Sequence, residues 1–142
     1  MDLRRWVVDW WRRFFAPKPL GRRGEDAAAR FLERHGCKIL ARGQRLRGGE
    51  LDLVALDGRT IVFVEVKTRT SAEAGHPAEA VDEQKQRRLT RLAVTFLKRH
   101  GLLEYRARFD VVAVTWPAGR GRPHIEHFPA AFDAQGQGEL FS

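Results

Sequence analysis

Two hydrophobic periods alternate along the chain. Between Gly48 and Arg69 apolar residues recur at every second position on either side of Asp57-Gly58, which predicts two half-buried strands joined by a tight turn. From Gly21 to Gly36 and from Asp82 to His100 the apolar spacing is three and four residues, which predicts helices. The first helix places Glu25 and Asp26 in its first turn and closes on Arg34, His35 and Gly36. The second is capped by Asp82, buries Val81, Leu89, Leu92, Ala93, Phe96 and Leu97, and closes on Lys98, Arg99 and His100 before Gly101. Lys38 to Ala41 predicts an opening strand, Phe109 to Trp116 a buried strand, and His124 to Phe128 an edge strand. The polar stretch 68–79, with His76, Gly75 and Pro77, is a loop, and residues 129–142 are a frayed tail. One domain over residues 20–128 follows, with element order α-β-β-β-α-β and a closing edge strand.

Ahead of it, residues 1–16 place Leu3, Trp6, Val7, Trp10, Trp11, Phe14 and Phe15 at helical spacing with arginines between them. Such an amphipathic helix suits a membrane surface or a protein contact. It equally suits packing on its own domain or on a second copy, or disorder, and these alternatives stay open. Pro17-Lys18-Pro19 ends it and makes residues 1–19 a separate extension. No stretch is long and apolar enough to span a bilayer.

Register sharpens the central hairpin. With a two-residue loop at Asp57-Gly58, Leu56 faces Arg59, Asp52 faces Phe63 and Glu50 faces Glu65. A four-residue loop sets Asp52 directly opposite Glu65 and keeps the same faces, whereas a one-residue slip splits the cluster. Alternation gathers Leu51, Leu53, Ala55, Thr60, Val62, Val64 and Val66 on one face. The other face carries Val54, Leu56, Ile61 and Phe63 near the turn, with Glu50, Asp52, Glu65 and Lys67 at the open end. Charges in a sheet are costly without partners or a metal.

Composition changes this picture in two respects. The net charge of +8 points to a polyanionic partner, but residues 1–24 hold seven Lys or Arg against Asp2 and Asp9, a net +5, leaving +3 for the rest. The single Cys37 excludes an internal disulfide, fits a reducing cytoplasm, and leaves no Cys-based metal site. A cytoplasmic chain, peripheral to the inner membrane if the extension binds lipid, is the expected location.

Two carboxylates converging from paired strands, Asp52 and Glu65, suit a hard divalent cation, which takes oxygen ligands. Lys67, two residues along the same face as Glu65, can steady an attacking hydroxide or the charge growing on a phosphate. Ala28, Ala29 and Leu32 share the side of the helix on which Glu25 lies, so Glu25 points inward. It serves either the helix dipole or the hairpin patch. Lys85, four residues before Leu89, either snorkels past the core or brings a cation to the same patch. Arg45, Arg47, Arg69, Arg87, Arg88 and Arg91 are candidate phosphate contacts. No glycine phosphate loop, Ser-His-Asp set or dinucleotide fingerprint competes with this chemistry.

Gly24-Glu25, Gly49-Glu50-Leu51-Asp52-Leu53-Val54 and Val64-Glu65-Val66-Lys67-Thr68-Arg69, followed by the Lys85–Leu89 helix and Phe109-Asp110-Val111-Val112, resemble the YraN-type family of bacterial proteins over residues 20–128. That family is similar to the PD-(D/E)xK nuclease superfamily and, within it, to archaeal Holliday-junction resolvases. The resemblance implies a restriction-endonuclease-like α/β fold, with a mixed central β-sheet flanked by helices in an αβββαβ core. It implies a nuclease hydrolysing phosphodiester bonds of DNA, at branched or irregular structures, with Mg²⁺ or Mn²⁺. Asp52, Glu65 and Glu25 would hold the metal, Lys67 would be the catalytic lysine, and Lys85 an auxiliary cation. Asp110 would be a supporting group, and a homodimer is implied by the resolvase branch. A non-catalytic nucleic-acid-binding accessory protein in DNA processing is the alternative.

Overall fold

A computed structural model describes residues 20–70 and 81–135. The Trp-rich extension, His76 and most of its loop, and residues 136–142 lie outside the described residues. The elements are α1 (Leu20–Arg34), β1 (Lys38–Leu46), β2 (Gly49–Asp57), β3 (Thr60–Arg69), α2 (Glu83–Arg99), β4 (Arg106–Thr115) and β5 (His124–Phe132).

The strands form one mixed sheet in the order β1-β2-β3-β4-β5. All neighbours are antiparallel except β3 and β4, which run parallel from Thr60↔Arg106 to Arg69↔Thr115. A parallel pair needs a crossover, and α2 lies in that connection. The two helices cover the sheet through different apolar clusters. Ala27, Ala28, Ala29 and Leu32 of α1 pack on Leu53, Ala55, Val62, Val64, Val112 and Val114. Leu89, Leu92, Ala93, Phe96 and Leu97 of α2 pack on Val54, Ile61, Phe63, Phe109 and Val111. Each fully buried Leu or Phe contributes about 2 kcal/mol, so both helices are held by tertiary burial. The α-β-β-β-α-β order is that of a restriction-endonuclease-like α/β domain, with β5 added at the edge.

Local chemistry sets the helix ends. Cys37 N–H donates to Leu32 O at 2.9 Å and Gly36 N–H to Glu33 O at 3.1 Å, with Gly36 at φ +92°, so α1 ends in a Schellman turn. Asp82 accepts from Lys85 N–H at 2.8 Å to start α2, and Leu102 N–H to Leu97 O at 2.8 Å closes it in the same way.

Several expectations need correction. Gly58-Arg59, not Asp57-Gly58, forms the turn, because Asp57 already pairs with Thr60. Gly58 takes φ +61° at the first central position, whereas Arg59 is not among the residues with positive φ. A type II′ turn therefore forms instead of the type I′ turn that Asp-Gly suggests. This is the second register, with the ladder running from Asp57↔Thr60 to Leu53↔Val64 and ending just before Asp52 and Glu65. The first strand continues through the basic stretch to Leu46, with a bulge between Ile39 and Ala41. β5 continues to Phe132, and Gln135 N–H donates to Thr90 Oγ1 at 3.1 Å, so residues 129–135 are no frayed tail. α1 begins at Leu20 and has no acidic residue in its first turn. Glu25 therefore stands in the second turn, and a helix-dipole role does not account for it.

A face switch matters most for the site. Leu53 belongs to the α1 side of the sheet, but Leu51 belongs to the α2 side with Leu46 and Leu89. Leu51 therefore leaves the face on which alternation placed it. The β1–β2 ladder pairs Arg42 with Leu53 and Gln44 with Leu51, and passes over Gly43 and Asp52. Gly43 has φ +52°, a conformation that glycine adopts without penalty. Asp52 is thus the hinge at which β2 changes sides.

Candidate functional site

The site lies at the C-terminal end of β3, where β2 diverges from it. There the Asp52 carboxylate takes over a backbone partner: Val66 N–H donates to Asp52 Oδ2 at 2.9 Å. Asp52 consequently sits between the two faces of the sheet, reachable from both helices.

From the α1 side come Glu25 and Glu50. Carboxylate oxygens of Glu25, Glu50 and Asp52 lie within 4.8 Å of one another. Glu50 stands here because of the face switch; alternation alone had grouped it with Glu65 and Lys67. Gly24 brings α1 this close. A Cβ on Gly24 would overlap the Thr68 side chain, so only glycine permits this packing. Arg45 pairs with Glu50 across the β1–β2 ladder and stands 3.6 Å from its carboxylate.

From the α2 side come Glu65, Lys67 and Lys85. Lys85 Nζ forms an ion pair with Glu65 Oε1, and both side chains are largely buried. Lys85 thus reaches the patch and does not snorkel past it. An apolar hollow lined by Leu51, Phe63, Leu89, Phe109 and Phe132 lies against Asp52 and Glu65. That wall removes water from the carboxylates and raises the cost of charging them.

The electrostatics follow from this enclosure. Burial first, and the Glu65 carboxylate second, push Asp52 up to about 7, against the opposing Val66 N–H bond. Glu25 is raised by burial and then by Glu50. Burial, with the neighbouring Lys85, holds Lys67 below the ordinary lysine value. For Lys85 burial works against the charge, but Glu65 outweighs it and raises the ammonium.

The structure therefore brings together Glu25, Asp52, Glu65, Lys67 and Lys85, and adds Glu50. The arginines divide. Arg45 borders the carboxylates. Arg47, Arg88 and Arg91 are exposed, Arg87 is tied to Glu83 at 2.9 Å, and Arg69 donates to Thr115 Oγ1 at 3.4 Å. Asp110 is elsewhere: fully buried, it accepts from Arg108 Nε at 3.0 Å, Ala130 N–H at 2.9 Å and His127 Nε2 at 2.7 Å. Arg108 also reaches Asp57 at 2.9 Å. A bulge in β5 delivers Ala130, whose φ of +49° is the one positive value among the described non-glycine residues. Sequence reasoning left Glu50 outside the ligand set and missed the partners of Asp110. Glu50 carried a signal, an acid beside the Gly48-Gly49 turn, but its side depended on the irregularity at Asp52. Cys37 is half-buried and its thiol is pushed up by burial, as befits a small apolar filler.

Fold and site together define a mixed α/β domain with a carboxylate and lysine cluster at the open end of its parallel strand pair. Among the described residues no helix is long and apolar enough to cross a membrane. The model of the Uncharacterised protein family UPF0102 matches residues 24–114, and the chain belongs to that family. A UPF0102 protein of Rhodopirellula baltica is 53% identical over 120 residues, covering 82% of this chain and 72% of the relative. A UPF0102 protein of Geobacter metallireducens is 52% identical over 116 residues, covering 82% and 93%. One of Anaeromyxobacter dehalogenans is 52% identical over 118 residues, covering 83% and 87%. The family match spans every residue of the cluster, from Glu25 to Lys85.

Proposed function

We propose that this domain is a metal-dependent nuclease that hydrolyses phosphodiester bonds of DNA, at branched or irregular structures. The observation that carries the reading is the meeting of Glu25, Glu50 and Asp52 oxygens within 4.8 Å, with Lys67 and Lys85 beside them. The donor set is all carboxylate, which fits Mg²⁺ or Mn²⁺ and not a Cys/His metal such as structural zinc. Glu25, Glu50 and Asp52 would hold the ion, with Glu65 against Asp52 as the further ligand that the nuclease resemblance implies. A bound ion would supply positive charge to the scissile phosphate and lower the pKa of a water.

The chain's own groups do the rest. Lys67, held below the usual lysine value, is suited to take a proton from an attacking water and give one back. Lys85 keeps its charge beside Glu65 and offers it to the developing phosphate. The exposed arginines of α2 and of the β1–β2 turn would hold the sugar-phosphate backbone.

One observation favours a second reading. Asp52 is satisfied by Val66 N–H and Glu65 by Lys85, and no buried side-chain polar atom among the described residues lacks a partner. A nucleic-acid-binding accessory protein with structural carboxylates would show the same. Cleavage of a panel of duplex, single-stranded, flap and four-way DNA with Mg²⁺ or Mn²⁺ separates the two. Turnover lost in Asp52→Asn and Lys67→Ala supports the nuclease; no turnover on any substrate, or turnover surviving both changes, sinks it.

A further inference from the structure

On the face of the molecule away from α2, a cleft runs between α1 and the β4–β5 connection. Arg23, Arg30 and Arg34 line one wall, and Trp116, Arg122 and Ile125 line the other. The three helix arginines stand at i, i+7 and i+11, a single stripe about 16 Å long at 1.5 Å per residue. Asp26 also lines the cleft, and its carboxylate accepts from Arg42 at 3.1 Å. Arg30, Arg34 and Arg122 are exposed and form no ion pair among the described residues. Four arginines line the cleft against Asp26, an excess of positive charge that suits an external polyanion.

The cleft is also braced. Trp116 is buried, its Nε1 donates to Gly121 O at 3.0 Å, and the Arg23 guanidinium lies 4.7 Å from its ring centroid. Arg23 further donates to Gly119 O at 3.3 Å, so the β4–β5 connection is tied to α1. Continuity with the carboxylate site runs through the same few residues. Trp116 N–H donates to Arg69 O at 2.9 Å, and Thr68, next to Arg69, is the residue on which Gly24 packs. Glu25 follows directly. One end of α1 therefore borders both the carboxylates and the cleft.

We infer that this cleft is a phosphate-binding track through which the backbone of bound DNA passes on leaving the carboxylate site. The inference rests on the nucleic-acid reading above and extends it to a surface on the opposite side from Arg87, Arg88 and Arg91. Affinity of the full chain for a labelled DNA duplex, measured over a range of salt concentrations, tests it. Each phosphate contact contributes about 0.9 to the slope of log affinity against log salt, so Arg30→Ala/Arg34→Ala/Arg122→Ala should reduce that slope by about 2 to 3. The Arg→Lys version of the same three changes should keep the slope, and thermal melting should show all variants folded. Arg59→Ala/Arg99→Ala/Arg106→Ala, which removes equal charge elsewhere on the surface, should leave the slope close to wild type.

Equal losses in the cleft variant and the reference variant overturn the track while leaving the nuclease reading intact. The track is likewise overturned if the cleft variant loses binding to anionic vesicles but keeps its DNA affinity. Absence of DNA binding by the wild-type chain overturns both.

Discussion

Asp52→Asn should stabilise the metal-free domain at alkaline pH and abolish its response to Mg²⁺. The structure explains both effects. Asp52 is pushed from 3.8 up to about 7 because burial and Glu65 oppose its charge. A carboxyl whose folded pKa is raised binds more protons in the native state than in the unfolded one. The unfolding free energy therefore falls as pH rises. The favourable contribution is whole below 3.8 and is lost as pH climbs to about 7. A shift of that size, at 1.36 kcal/mol per unit, sets a ceiling of about 4 kcal/mol. Asp52 is partly open to solvent, which brings the expected difference down to about 2 kcal/mol.

Asparagine imitates the protonated acid: its oxygen can accept from Val66 N–H and its amide can donate to Glu65. Urea unfolding at pH 8 should then find Asp52→Asn more stable than wild type by about 2 kcal/mol, with the two curves converging near pH 4. Adding Mg²⁺ should reverse the order. A ligand that binds only the native state adds about 2.7 kcal/mol at a hundredfold excess over its dissociation constant, and only the wild type keeps the carboxylate. An Asp52→Asn variant no more stable than wild type at pH 8 would refute the electrostatic account. Equal stabilisation of both chains by Mg²⁺ would refute the metal assignment.

Three more outcomes are expected. Lys67→Ala should lower DNA cleavage by about 10²- to 10⁴-fold while the Mg²⁺-induced rise in melting temperature persists; a lost rise would make Lys67 structural. Asp110→Ala should cost about 3 to 5 kcal/mol, because Arg108 and His127 lose their buried acceptor, with the Mg²⁺ response unchanged. Burial opposes the Asp110 charge, but His127, Arg108 and Ala130 N–H outweigh it and hold Asp110 low. Its contribution is therefore full above the usual carboxylate range and is lost as pH falls through the folded value; acid unfolding of wild type and variant should converge. Gly24→Ala should cost about 1 to 3 kcal/mol through overlap with Thr68, and Gly24→Ala/Thr68→Gly should recover part of it in the same denaturation assay.

Periodicity along the chain determined much of this domain. Helix positions came from three- and four-residue spacing, and the caps at Asp82, Gly36 and Gly101 came from side-chain and φ requirements that act within a few residues. The mixed sheet was implied by resemblance, and Asp52, Glu65 and Lys67 were singled out because charges stand out in an apolar hairpin. These features are local, and local rules decide them.

Tertiary structure decided the rest. Whether Gly58 takes the first or second place in the turn shifts the ladder by two residues, and sequence alone left both registers open. The change of side at Asp52 depends on that carboxylate capturing Val66 N–H in place of a backbone carbonyl, a choice made only once β3 lies alongside. That single irregularity separates Glu50 from Glu65, turns Glu50 toward Glu25, and leaves Asp52 between two helices with its pKa raised. The burial behind that shift is a property of the assembled walls around Asp52, contributed by residues as distant in the chain as Leu89 and Phe132.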